Sequence, residues 1–279
     1  MMLSRHMNQD RDYRETYGLT KHQAIPINEW LAMPPREPVR KALVTSGTRN
    51  VYKYMVASVK SYLCNSDVDR VFMLVEDDVF PYEIPECVTC IDVRKQKWFP
   101  AGNPNSNCKF TYMAVIRSAL CYIFPEYDRI LCVDMDTIAV SDVSELFELP
   151  LDDDCYFSAA HEPALSRKTR KYYTNAGVCI HNLKKLRDGK ADEIIQRLNL
   201  ETLFFGEQDA MNNHCQGHIQ PLDSIWNGCD YVDPPTGPIR IEHYAGPKNW
   251  ETRTNMHLYR DMPWDEVIRR HDEHLRNRI

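Results

Sequence analysis

RILCVDMDTIAV, residues 129–140, decides how this chain is read. Ile130, Leu131, Cys132 and Val133 enter it as an apolar strand, and Ile138, Ala139 and Val140 leave it in the same character. Between them stand Asp134 and Asp136. A carboxylate taken out of water is costly unless it is paired, protonated or bound to a metal. Side chains alternate along a strand, so residues 134 and 136 project to one side with Met135 opposite. Two like charges that close repel, and a divalent cation relieves both the repulsion and the desolvation. The competing reading is a capping turn before the next helix. D-x-D also occurs at Asp10/Asp12, Asp67/Asp69 and Asp152/Asp154, but in polar surroundings that read as turns or solvated surface.

Working outward, strand and helix patterns alternate from residue 40. KALVTS (41–46), RVFMLV (70–75) and VTCIDV (88–93) read as strands. Val51, Tyr54, Met55, Ser58, Val59, Tyr62 and Leu63 follow helical spacing, as do Tyr112, Val115, Ile116, Ala119, Leu120 and Ile123. This rhythm predicts an α/β fold with a mainly parallel central sheet flanked by helices. Ligands bind such sheets beyond the carboxyl ends of the strands, where Thr45, Ser46, Gly47, Asp134 and Asp136 fall. In the second half, CYFSAA (155–160), GVCIHNL (177–183) and IRIEHY (239–244) read as strands, with helices over 191–198 and 207–215 and at the chain end. The expected organisation is an N-terminal extension (1–39), one α/β domain (40–258) and a C-terminal helical tail (259–279).

The 279 residues are 43% hydrophobic and 27% charged with net charge −6, a folded chain without the basic stripe that nucleic acid requires. No apolar run is long enough to span a bilayer, and the first residues show no secretion signal. Ten cysteines without such a signal imply free thiols in a reducing, cytoplasmic compartment. Cys87 and Cys90 form a lone CxxC, which reads as strand packing because a structural zinc site needs a second pair. His214 and His218 lack an HExxH context. The arginines of the terminal helix allow a weak, peripheral membrane-surface contact, although a solvated face is the commoner explanation.

Four further stretches accompany the aspartates: TSGTRNVY (45–52); the helix with Arg117, seventeen residues ahead of Asp134; TNAGVCIHNLKKLR (174–187); and FGEQDAMN (205–212) followed by IEHYAGPKNW (241–250). Their order across residues 41–250 resembles glycosyltransferase family 8, the family of glycogenin and the bacterial lipopolysaccharide galactosyltransferases. Glu207 stands where that family usually has Asp, and Asn249 where it usually has Pro. A phosphatase-type D-x-D-x-T fits less well, because Thr137 follows the second Asp directly and the motif lies mid-chain.

The resemblance implies a GT-A fold and a metal-dependent retaining transfer of a hexose, glucose or galactose, from a UDP-sugar to a glycan, lipid-linked or protein acceptor. It implies that Asp134, Asp136 and His243 hold Mn²⁺, or Mg²⁺, against the diphosphate, with Gly246 and Lys248 meeting the phosphates. Thr45, Ser46, Gly47, Asn50, Tyr52 and Met135 would line the nucleotide. Asn175, Ala176 and Gly177 would line the donor sugar, and Arg117 would act in catalysis on a phosphate or sugar oxygen, the other reading being a structural carboxylate partner. Glu207 and Gln208 would face the transferred sugar, oriented by Asp209. The other readings are a metal-dependent phosphatase or nucleotide-sugar hydrolase, and a non-catalytic UDP-sugar binding module.

Overall fold

The computed structural model describes residues 20–34, 36–106, 112–247 and 250–277. The strands, in chain order, are β1 (Thr20–Gln23), β2 (Ile25–Pro26), β3 (Ala42–Ser46), β4 (Arg70–Val75), β5 (Val79–Ile84), β6 (Val88–Asp92), β7 (Arg129–Val133), β8 (Thr137–Ala139), β9 (Phe157–His161), β10 (Thr174–Asn182), β11 (Ile219–Leu222) and β12 (Ile241–His243). Eight form the central sheet in the order β11-β9-β10-β7-β3-β4-β6-β2. From β7 to β2 every pairing is parallel. These strands are near-continuous Val, Ile, Leu, Phe and Cys because helices cover both faces, and each face carries its own apolar cluster. β10 runs antiparallel to both β7 and β9. Its amino end and the carboxyl end of β9 therefore lie beside the carboxyl ends of β3 and β7.

The carboxylate pair departs from the strand reading. β7 ends at Val133, and the chain turns through residues 134–136, with the Thr137 amide donating to the Asp134 carbonyl at 3.2 Å. β8 then pairs with β12, register Thr137↔His243. A tight turn between two strands, rather than strand alternation, brings Asp134 and Asp136 together. The predicted helix over 112–123 is also interrupted. Two α-helical turns, Tyr112–Val115 and Leu120–Ile123, flank a 3₁₀ turn at Ile116–Ala119 that carries Arg117. Such a tightening inside a helix commonly marks a functional position.

Packing is continuous at residues 39 and 258. Ahead of residue 40, β2 forms the edge of the central sheet. In the helix Ile27–Ala32, Trp30 is buried, its indole N–H donating to the Ile123 carbonyl at 2.7 Å. The helix Thr254–Asp261 runs through residue 258. Beyond it, Trp264, Val267 and His271 of the helix Trp264–Arg276 are buried, and the His271 and His274 rings bond the Ser66 and Cys64 carbonyls at the end of the helix Tyr52–Asn65. Arg269 and Arg270 on its outer face are paired with Glu266 and Glu273. No described helix is long and apolar enough to cross a membrane.

Candidate active site

One oxygen each of Asp134 and Asp136 and a ring nitrogen of His243 lie within 4.8 Å of one another, the one group of its kind among the described residues. His243 Nε2 is 3.5 Å from Asp134 Oδ2 and 3.6 Å from Asp136 Oδ1. Asp136 and His243 are buried and Asp134 is partly exposed, so the cluster opens to solvent on one side. Burial disfavours charge on the ring. Hydrogen bonds to Asp134 and Cys229 and the two carboxylate charges prevail, and raise its pKa to about 10. Two hard oxygens and one imidazole nitrogen form a donor set suited to Mn²⁺ or Mg²⁺, and they converge closely enough to hold either. Gly177 forms the back of the cradle: a β-carbon there would collide with the His243 ring. The glycine sits in a bulge, where β10 advances from Asn175 to Cys179 while β9 moves one residue.

Arg117 fixes how Asp134 presents itself. Its guanidinium donates to Asp134 Oδ1 at 2.6 Å and to Glu207 Oε2 at 2.8 Å. Asp134 Oδ2 is thereby left on the side of His243. The Arg117 side chain is 7% exposed; burial opposes its charge, and Glu207 and Asp134 hold it firmly protonated. Burial, with the Asp134 charge, pushes the Glu207 carboxyl up, and Arg117 offsets part of this. The partners of Arg117 are thus two carboxylates, and it ties the D-x-D turn to the start of the helix Glu207–His214.

That helix also carries Gln208 and Asp209. Asp209 accepts from the Tyr173 hydroxyl at 2.5 Å and the Phe205 amide at 2.8 Å, which holds the turn ahead of Glu207 and Gln208. Gln208 Oε1 accepts from the Ala176 amide at 2.9 Å, and its Nε2 lies 3.4 Å from Glu162 Oε2. Glu162 also accepts from Asn175 Nδ2 at 3.2 Å, and burial raises its pKa.

The loop after β3, expected to line a nucleotide, is largely committed to the protein. Thr45 and Tyr52 are fully buried. The Tyr52 hydroxyl accepts from the Glu76 amide at 2.8 Å, and Ser46 Oγ donates to the Met113 carbonyl at 2.7 Å. Gly47 packs against Met55 with no room for a side chain. Asn50 is exposed and bonded to Thr48, and Met135 is partly exposed. Thr45 and Tyr52 can shape this edge but cannot touch a bound nucleotide without rearranging. Gly246 has φ +90 and lies under the Tyr231 hydroxyl, a position only glycine fills without strain. Lys248 lies outside the described residues. A crevice of about 440 Å³ beside His243 is lined by Gly228, Tyr244 and Arg253 among others.

The structure adds residues that the motifs did not single out. Glu162 follows directly on apolar β9, and Glu76 follows β4; an acid at a strand's carboxyl end was a readable signal for both. Glu76 accepts from the Arg49 amide at 2.8 Å, so this neighbouring strand supplies a carboxylate to a loop that lacks one. Asn227, in a short segment after a 3₁₀ turn, carried no signal.

A family model described as "Glycosyl transferase family 8" matches residues 49–254. The chain belongs to glycosyl transferase family 8. Two curated family relatives are more distant. Glycosyltransferase GlyF of Streptococcus pneumoniae serotype 4 is 24% identical over 267 residues, covering 82% of this chain and 63% of GlyF. Probable galacturonosyltransferase-like 2 of Arabidopsis thaliana is 23% identical over 240 residues, covering 72% of this chain and 67% of that protein. Among solved structures, the galactosyltransferase LgtC in complex with donor and acceptor sugar analogues superposes with a TM-score of 0.60 at 18% identity, covering 83% of this chain and 95% of LgtC. The glycosyltransferase GlyE of S. pneumoniae gives 0.63 at 18% identity, covering 83% of this chain and 63% of GlyE. The fold of this family 8 chain is accordingly of the GT-A type.

Proposed function

We propose that the protein is a metal-dependent, retaining glycosyltransferase that moves a hexose from a UDP-sugar to a glycan, lipid-linked or protein acceptor. The convergence of Asp134, Asp136 and His243 beside Gln208 and Glu162 carries this reading. A bound Mn²⁺ or Mg²⁺ would supply charge stabilisation for a departing diphosphate. The chain's own residues do the rest. Asp134, steadied by Arg117, and Asp136 and His243 present the ligand atoms. Glu162 offers a hydrogen-bond acceptor to a sugar hydroxyl, and Asn175 and Glu207, whose oxygens are engaged by Gly177, Asn227 and Arg117, hold its surroundings in place. Gln208 stands where the anomeric centre is expected.

The bond from the Ala176 amide to Gln208 Oε1 draws electron density from an oxygen that is already a poor nucleophile. This favours attack by the acceptor on the face from which the diphosphate leaves, with Gln208 acting through its dipole. Galactose or glucose is the donor sugar we favour, and the galactosyltransferase LgtC among the structural neighbours supports the former.

A thermal-shift panel of nucleotide sugars with and without Mn²⁺, followed by a donor-hydrolysis assay, tests the reading. Metal-dependent stabilisation by one UDP-sugar and slow release of UDP are the expected results. Rapid release of inorganic phosphate from unrelated phosphomonoesters would favour a phosphatase. Tight binding without turnover on any acceptor would favour a binding module.

A further inference from the structure

His243 can serve as a metal ligand through Nε2 only if the proton of the neutral ring resides on Nδ1. The surrounding hydrogen bonds decide this, and they can be read from one fixed point. The Gly177 backbone N–H can only donate, and it lies 3.0 Å from Asn175 Oδ1, which must therefore accept. The Asn227 amide atom 3.0 Å from that same oxygen must then be the nitrogen. The remaining Asn227 atom is an oxygen, and it lies 2.8 Å from His243 Nδ1. An oxygen there can only accept, so Nδ1 carries the hydrogen and Nε2 turns toward Asp134 and Asp136. At its other end the chain closes correctly, with Asn175 Nδ2 donating to Glu162.

Asn227 is fully buried, and its place is fixed by the backbone. The Gly228 amide donates to the Ile241 carbonyl at 2.9 Å and the His243 amide to the Gly228 carbonyl at 3.0 Å, which clips residue 227 beside the strand that carries His243. A metal-ligating histidine regularly donates its other N–H to an oxygen that sets the tautomer and ring angle. The residue supplying it here is remote from every family motif in the sequence.

We propose that Asn227 is a positioning residue: it holds His243 in the Nδ1-protonated tautomer with Nε2 presented to the metal, and links that ring through Asn175 to the 174–177 segment. The inference rests on the reading of Asp134, Asp136 and His243 as a metal site. It extends that reading to a residue that touches neither metal nor substrate.

The test compares Mn²⁺ affinity, followed by the electron paramagnetic resonance of free Mn²⁺, in the full-length wild type and in Asn227→Ala and Asn227→Asp. Both substitutions remove the donor to Asn175, but only Asp keeps an acceptor for Nδ1–H. Asn227→Ala is expected to weaken Mn²⁺ binding roughly 10- to 100-fold, and Asn227→Asp to restore it to within a few-fold of wild type. In the Mg²⁺-loaded wild type, ¹⁵N NMR of the His243 ring should show the hydrogen on Nδ1. Equal affinity in all three proteins, equal loss in both variants, or a hydrogen on Nε2 would each overturn the proposal while leaving the metal site standing. Wild-type protein that binds no divalent cation, with Asp136→Ala indistinguishable from it, would overturn the metal site and this proposal together.

Discussion

The two ends of the central sheet treat buried charge in opposite ways. At the amino end of β3, Lys41 reaches Asp67 with both carboxylate oxygens in range, at 2.7 and 2.8 Å, and each of the two side chains is only 8% exposed. Lys41 and Arg40 also share Glu148, at 3.7 and 3.5 Å, so cations and carboxylates alternate there. At the carboxyl end, Asp134, Asp136 and Glu207 converge on Arg117 and His243, with Glu162 close by. Among the described residues, acidic groups outnumber basic ones there even with the ring charged. The first arrangement is complete in itself. The second has the surplus negative charge that a folded protein retains where a cation is to be bound. An ion pair is therefore no sign of a site, whereas an unbalanced cluster in a core is.

The comparison can be broken most sharply at the surplus. Asp136→Ala is expected to reduce metal-dependent donor turnover by at least ~10³-fold, because the leaving group loses its stabilisation. Turnover that persists in excess EDTA would end the metal reading. The next test sets one end against the other. Arg117→Met should cost ~3–5 kcal/mol in urea unfolding, since it strands Glu207 without its cation. The double change Lys41→Met with Asp67→Leu should stay within ~2 kcal/mol of wild type and leave turnover intact, because a paired charge can be exchanged for apolar packing. Equal costs at both ends would mean that the contrast carries no weight.

A buried group outside both clusters gives a pH signature of similar size. His181 is 1% exposed, neither ring nitrogen has a hydrogen-bond partner, and burial lowers its pKa to about 3. The unfolded chain binds a proton near pH 6.5 that the folded chain refuses. Stability is therefore whole above that pH and falls as the pH drops toward 3, by up to ~4 kcal/mol from this residue. His181→Phe should flatten the stability profile between those values. An unchanged slope would show that the ring acquires a partner in solution. The smallest effect belongs to the sugar side. Gln208→Ala should slow kcat by ~10²-fold and leave donor binding unchanged, the scale of one lost electrostatic contact. Intact-protein mass spectrometry with donor alone should show no glycosylated enzyme, and an adduct on Gln208 or Glu207 would replace same-face attack with double displacement.

Much of this was legible in the sequence, unevenly. The parallel strands were readable because helices bury both their faces and leave uninterrupted apolar runs, so that RVFMLV matches β4 to the residue. β5 escaped because, among the described strands, it pairs with β1 alone and carries exposed positions that break the pattern. The Asp134/Asp136 pair was visible as an anomaly, but its geometry was not: a two-residue spacing suits a strand and a tight turn equally. Thr45 and Tyr52 were drawn into the nucleotide edge by their motif, yet motif position does not report which way a side chain points. Asn227 left no trace, since an amide acting on another side chain has neither periodicity nor charge to reveal it. The segment before residue 40 reads only as an extension, and Ile27 and Trp30 anchor it in the core. Cutting the chain at residue 39 should accordingly lower stability by several kcal/mol, of the order of losing one buried tryptophan.

Gly177 and His243 share one volume, and this restricts the order in which the family's sequences can drift. With the histidine in place, any side chain at 177 must push the ring aside, so the first substitution there costs the ligand its position even though position 177 donates nothing to a metal. Exchanging His243 for a smaller ligand such as aspartate empties the space and makes alanine at 177 admissible afterwards. The two positions can change in one sequence of steps and not in the other. Descendants that have lost the histidine are therefore the lineages in which the glycine is free to vary.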